Sequence, residues 1–250
     1  MGGMSERVTI MTVTHGRERF LPSILACVRH QTYDNIEWIV LDDSPEPSPT
    51  LSGLDDPRFT YIHLPERKMP IGEKRNYVNE RARGEVIVQF DDDDYYAPNY
   101  IARMMDVMAK AGADFLSLHG WFVYDERHKA FGYRMALQRS GLHYLFAPGG
   151  IVPRQFDETN NQIFSMAHFG YGFSYLYKRK AWAEFPIEPI SRDEDMRFAE
   201  RLSTKYKRVH LIDTSGLCLH FIHSGNVSTH AVQYLLPPFQ LKQYFPGLSL

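Results

Sequence analysis

Three short runs of aliphatic and β-branched residues restrict this chain to a small set of architectures: VTIMTVT at 8–14, EWIVLDD at 37–43 and EVIVQF at 85–90. Each has the length of a strand rather than of a core helix. The second ends in acids and the third runs straight into them. Stretches with helical spacing lie between and after the runs. Leu21, Ile24, Leu25 and Val28 share one helix face behind Pro22, a good first-turn residue. A polar helix is predicted over 73–83, entered at Gly72 and closed by Gly84 as its C′ residue. Pro98 opens a third helix, in which Ile101, Met104, Met105 and Met108 recur at i, i+3, i+4 and i+7 before Gly112 ends it. Further strands are predicted at 59–64 and 114–119. Strand and helix thus alternate over residues 1–120. That implies an α/β fold, a parallel sheet with helices on its faces and ligand chemistry at the carboxyl ends of its strands.

The second half reads as less regular. A hairpin over 120–137, loops over 138–170 and a strand at 173–179 are expected. A helix over 192–206 with Met196, Ala199 and Leu202 facing inward, a strand at 208–213 and an irregular tail complete the reading.

The run "DDDDYYAP" at 91–98 carries the chemistry. Two carboxylates about 4 Å apart repel by roughly 4 kcal/mol at an effective dielectric near 20. Solvent offsets this if the run is an exposed turn; a divalent cation does so better. On a turn leaving a strand, Asp91 and Asp93 point to one side by the two-residue period. Same-side carboxylates suit a hard cation such as Mg²⁺ or Mn²⁺, with phosphate oxygens completing its shell. A loose, partly open acidic loop is the expectation when no cation is bound.

Four other constellations matter. Asp42 and Asp43 end the second strand, where a carboxylate accepts from a ribose or base N–H, or else merely starts an Asx turn before Ser44–Pro45. Lys74 and Arg75 sit in a first helical turn, a place for a phosphate or an ordinary basic patch. Asp193, Glu194 and Asp195 open a helix, favourably for its dipole; a carboxylate kept ionised there is also what a general base requires. His220 and His223 are not spaced as a tight metal pair, though one imidazole could complete a cation site. Trp121, Tyr124, Tyr171, Phe173 and Trp182 are either core aromatics or stacking platforms for a sugar.

Composition removes several classes. The net charge is -2 with no basic block, which argues against nucleic-acid binding. Two distant cysteines, Cys27 and Cys218, give no disulfide framework and no zinc spacing, so a reducing compartment is expected.

In order and spacing these stretches resemble the family 2 glycosyltransferases and their GT-A, Rossmann-like fold. The resemblance covers 7–125 closely and 170–225 more loosely. It is carried by the opening strand–helix–strand, by "EKRN", by "DDDDYYAP" and by "DEDMRF". The chain departs from the family at "TVTHGR", where Val13, His15 and Gly16 replace a Pro-Thr-Tyr-Asn-like turn.

The resemblance implies one GT-A domain over 1–250, with a nucleotide-sugar-binding half at about 7–120 and an acceptor-binding half at about 121–250. It implies a metal-dependent, inverting transfer of a sugar from a nucleotide-diphosphate donor, by default a UDP-sugar, to a hydroxyl of a glycan or other acceptor. Val13, Thr14, Asp43, Arg75, Asp91 and Asp92 would contact the nucleotide. Asp93 and His223 would hold Mn²⁺ or Mg²⁺, and Asp195 would deprotonate the acceptor. Trp121, Tyr171, Trp182 and Glu194 would face the acceptor. No apolar run approaches membrane-spanning length and no signal-type leader is visible, so a cytoplasmic location is expected, with membrane-bound acceptors reached peripherally.

Two alternatives stay open. A nucleotidyltransferase that makes sugar nucleotides typically has a Gly-rich loop after its first strand, whereas "THGRERF" holds one glycine. A binding protein that kept the fold but lost turnover is the other, against which the intact Asp93 and Asp195 speak.

Overall fold

The computed structural model describes residues 5–164, 167–225 and 231–248. The aliphatic runs form β1 (Val8–Thr14), β2 (Ile36–Asp42) and β4 (Val86–Gln89), with β3 (Phe59–His63) outside β2. All four are parallel neighbours in the order β4-β1-β2-β3. Their carboxyl ends therefore share one edge. Three helices cover the sheet: α1 (Leu21–Arg29), α2 (Ile71–Arg81) and α3 (Tyr100–Ala111). In α1, Leu21, Ile24, Cys27 and Val28 are buried in one stripe. In α3 the whole Ile101, Met104, Met105, Met108 stripe is buried, and Gly112 caps the helix at φ +57°. Each such side chain contributes roughly 1.5–3 kcal/mol on burial.

The helix α2 is polar because the face it buries is polar. Lys74, Arg75 and Asn79 point inward around Val78. Asn79 Nδ2 donates to Tyr177 Oη at 2.9 Å. Gly84 does not cap α2, which ends at Arg81 with an extended Ala82. Gly84 is needed for close approach instead: a Cβ there would lie 2.6 Å from the Thr9 nitrogen and 2.9 Å from the Arg7 carbonyl oxygen. Its N–H donates to Glu37, at 3.0 Å. Glu37 is fully buried and also accepts from Thr9 Oγ1, the Arg83 N–H and Nε, and Arg7 Nη2. One carboxylate thus ties together the amino-terminal ends of β1, β2 and β4.

The sheet continues through β5 (Tyr95–Tyr96), β6 (Phe115–Asp125), β7 (Ala130–Met135), β10 (Leu176–Lys178), β11 (Arg208–Ile212), β12 (Cys218–Ile222) and β14 (Tyr234–Leu236). Its main path runs β14-β7-β6-β10-β4-β1-β2-β3. The expected hairpin is β6–β7, with Asp125 accepting from the turn N–H groups of Arg127 and His128. Antiparallel β10 is inserted between β4 and β6. The strands β11 and β12 return parallel to β6, and β12 also pairs with β5.

Three expectations for the second half fail as well. The segment 138–170 is not all loop: β8 (Gly141–Ala147) and β9 (Gly150–Phe156) pair as a hairpin that, with β13 (Ala231–Val232), makes a second sheet anchored by buried His143, Phe146 and Phe156. The tail is less irregular than it reads, containing β12 and α6 (Phe239–Tyr244), while residues 226–230 lie outside the described residues. The helix α5 (Glu194–Ser203), which follows α4 (Arg179–Glu184), buries Phe198 with Ala199 and Leu202 and leaves Met196 half-buried.

Gly84→Ala should therefore destabilise the protein by about 2 kcal/mol, because the new methyl meets backbone that cannot yield. Gly53→Ala, where a Cβ meets nothing within 4 Å, serves as the neutral control in paired urea melts.

Candidate active site

Because β1 and β4 are parallel neighbours, the loops leaving them lie side by side. Arg17, in the first loop, places Nη1 2.9 Å from Asp92 Oδ1 and 2.5 Å from Asp93 Oδ2, in the second. The pairing of β5 with β12 brings in two imidazoles. His220 Nδ1 lies 2.9 Å from Asp94 Oδ2, and His223 Nε2 lies 2.9 Å from Asp93 Oδ2. Arg75, from α2, reaches Asp91 at 3.4 Å and Glu194 at 2.8 Å. The acidic run is thus not a loose open loop: Asp92, Asp93 and Asp94 are 3%, 8% and 2% exposed. Arg17, Arg75 and the two imidazoles face the carboxylates in place of solvent.

One oxygen each of Asp91, Asp93 and Asp94 lies within 4.8 Å of the others. Asp92 Oδ2 is buried without a hydrogen-bond partner. Three convergent carboxylate oxygens, with an unpaired one on the adjacent Asp92, are the donor set a hard divalent cation takes, so the residues fit one.

Tyr96 explains why an aromatic follows the acids. Its hydroxyl accepts from the Asp91 N–H at 2.9 Å and donates to the Phe173 carbonyl at 2.8 Å. Its ring stacks on Phe90 at 3.8 Å. Phe173 belongs to the segment that meets Asp195, where the Gly172 N–H donates to Asp195 Oδ2 at 2.7 Å. Asp195 stands in the first turn of α5 behind Asp193, which takes a left-handed φ of +62°. The other Asp195 oxygen, Oδ1, accepts from the Met196 N–H at 2.8 Å.

Among the residues singled out from the sequence, Arg75, Asp91, Asp92, Asp93, Glu194 and His223 converge in one network. Asp195 joins it through Gly172, against which Arg75 also packs. Val13 and Thr14 end β1 beside Asp43, whose carboxylate is buried against Lys74, His15 and the Met69 N–H. Lys74 therefore points inward, also donating to the Thr14 carbonyl at 3.0 Å. Tyr171 lies edge-on to Trp121 at 5.3 Å, and Trp121 itself is 4% exposed. Trp182 stands apart: its indole donates to Asn76 on α2 at 2.8 Å. Arg17, Asp94 and His220 complete the network. No local signal marks Arg17, whose loop meets the acidic run only because β1 and β4 pair.

The chain was compared with known proteins. A family model described as glycosyl transferase family 2 matches residues 9–185. EpsH of Bacillus subtilis (strain 168) is 34% identical over 102 residues, 39% of this chain and 29% of that protein. The structure of S. aureus TarS in complex with UDP-GlcNAc superimposes with a TM-score of 0.62 at 14% identity, covering 88% of this chain and 60% of that one. A mannosyltransferase from Pyrobaculum calidifontis, in complex with GDP-Man and Mn2+, gives 0.59 at 14% identity, covering 88% and 58%. The two structures bear out the α/β fold, and the chain spans less than a third of EpsH.

The electrostatics of the acidic run have a testable sign. Burial, with the Asp93 charge alongside, pushes the Asp92 carboxyl up from 3.8 to about 7, even though Arg17 pulls it down. Asp93 goes the other way: burial is outweighed by His223 and Arg17, which hold it below the usual range. A raised carboxyl contributes stability that is complete below the unfolded pKa and lost as pH rises through the folded one. In chelator, the wild type should therefore lose stability between pH 5 and pH 8. Asp92→Asn should lose less, by about 1 kcal/mol or roughly 2–4 °C in Tm for a chain of this size. Parallel slopes in thermal melts of the two proteins would show that Asp92 titrates normally.

Proposed function

The chain belongs to glycosyl transferase family 2, and on that footing we propose that it moves a sugar from a nucleotide-diphosphate donor, a UDP-sugar in the first instance, to a hydroxyl acceptor, with inversion. The observation that carries this reading is the convergence of Asp91, Asp93 and Asp94 at the carboxyl edge of the sheet, facing Arg75 and, beyond it, Asp195. The nucleotide-sugars and Mn2+ in the two related structures support it.

In this reading the nucleoside lies over the ends of β1 and β2, at Val13, Thr14 and Asp43. Asp43, already engaged by Lys74, is held in a fixed orientation there. Arg75 and Arg17 are the cations placed to meet the diphosphate, and Glu194 holds Arg75 in position. Asp91, Asp93 and His223 would hold Mn²⁺ or Mg²⁺, which when bound neutralises charge developing on the leaving diphosphate. Asp195 takes the proton from the acceptor hydroxyl as its oxygen attacks the anomeric carbon and the C–O bond to the diphosphate breaks. Single displacement inverts that centre. The half beyond residue 120, with Tyr171 and Trp121 beside Asp195's neighbour Gly172, receives the acceptor.

Asp195→Asn should slow transfer, or donor hydrolysis with water as acceptor, by about 10²–10⁴-fold while leaving nucleotide affinity unchanged. Asp93→Asn should instead abolish cation-dependent UDP or GDP binding in calorimetry. Wild-type turnover in Asp195→Asn would remove the base from this scheme. Metal-independent binding equal in wild type and Asp93→Asn would remove the cation.

A further inference from the structure

Behind the segment that holds Asp195 lies a second group of charges, built unlike the first. His119, on β6, stacks on His210 of β11 at 4.5 Å with 15° between the rings. His119 is 1% exposed, and neither ring nitrogen has a hydrogen-bond partner. Arg208, two residues before His210, lies over the Phe169 ring at 5.1 Å, and its buried Nη1 also lacks a partner.

Among the described residues no carboxylate acts on His119 or Arg208, and burial pushes both toward neutrality. His119 falls to about 3 through burial and then the charges of His210, Arg208 and His168. In the donor-side network, by contrast, Arg17, Lys74, Arg75, His220 and His223 each have a carboxylate partner. A guanidinium with a buried, unpartnered nitrogen and an imidazole with two unpartnered nitrogens are left short of hydrogen-bond acceptors, a deficit that an incoming anion fills. A metal cation is the wrong occupant. Arg208 would repel it, and among the described residues the His, Cys, Asp and Glu ligand atoms converge in a group of three or more only at Asp91, Asp93 and Asp94.

The position connects to the chemistry. Ser117 Oγ donates to the Phe169 carbonyl at 3.0 Å, and three residues on, the Gly172 N–H holds Asp195. Three residues span at most roughly 11 Å. We propose that His119, His210 and Arg208 form a subsite for an oxyanion, a phosphate or a carboxylate, carried by the acceptor, so that the acceptor is an anionic glycan or sugar phosphate rather than a neutral sugar. This rests on the transferase reading only for the word acceptor; the anion site itself does not.

The test uses the full chain with isotope-labelled histidine, reading the His119 and His210 imidazole signals, assigned by single substitution, during titration with inorganic phosphate and separately with acetate. Saturable millimolar shifts are expected. They should weaken about tenfold or more in Arg208→Gln, the effect of losing a charge-assisted hydrogen bond, and stay unchanged in Asp93→Asn. Arg208→Lys, which keeps the charge if the glutamine variant does not fold, should fall between. Tighter phosphate points to phosphoryl acceptors and tighter acetate to uronate-type ones; either supports the site. Imidazoles that stay still, or that shift equally in Arg208→Gln, overturn it while leaving nucleotide binding, and hence the transferase reading, untouched. With donor present, transfer to a phosphate- or uronate-bearing sugar should exceed that to its neutral counterpart, and Arg208→Gln should erase the preference.

Discussion

Burying neighbouring carboxylates is the constraint around which this molecule is arranged. Solvation is largely denied to Asp92, Asp93 and Asp94, so charge must come from elsewhere in the chain. It comes from far away in sequence: Arg17 lies 76 positions from Asp93, His220 lies 126 from Asp94, and His223 lies 130 from Asp93. Each pairing needs a particular strand neighbour. The β1–β4 pair supplies Arg17 and the β5–β12 pair supplies the imidazoles. The acidic site and the sheet topology are therefore one requirement, because a different strand order would leave the acids buried and unpaired, at several kcal/mol per charge.

The same arrangement joins the acidic run to the segment that holds Asp195. The Tyr96 hydroxyl connects the backbone at Asp91 to that at Phe173, and Gly172 next to it holds Asp195. A side chain fixed by packing and by two backbone bonds loses little entropy when substrate binds, which is what positions reacting groups cheaply.

What could be read from the sequence follows from range. The strands β1, β2 and β4 and the helices α1 and α3 announce themselves because their apolar patterns are local and unbroken. The acidic run and the charged stretches at Lys74–Arg75 and 193–195 were visible because each is contiguous in the sequence. The hairpin β8–β9 was not, since most of its side chains are partly exposed and Gly141, Gly150 and Pro153 punctuate it like a loop. Arg17 and the inward turn of Lys74 were illegible because their meaning lies in partners that only tertiary structure supplies. Gly84 looked like a helix cap because sequence shows the glycine but not the strand pressing against it. The openness expected of the acidic run failed likewise, for the imidazoles and guanidinium that close over it come from distant segments.

The Glu37 knot gives the sheet two unlike ends. At the amino-terminal ends of β1, β2 and β4 a single buried carboxylate is saturated by five donors from four residues, one of them Gly84, where no side chain fits. At the other end the acids are held by side chains that can change partners. Over evolutionary time this separates two kinds of freedom. One edge is closed to drift because every alternative leaves a buried charge stranded. The opposite edge can exchange loops and specificities without putting the scaffold at risk, so a lineage built on this sheet can diversify its substrates while its foundation stays fixed.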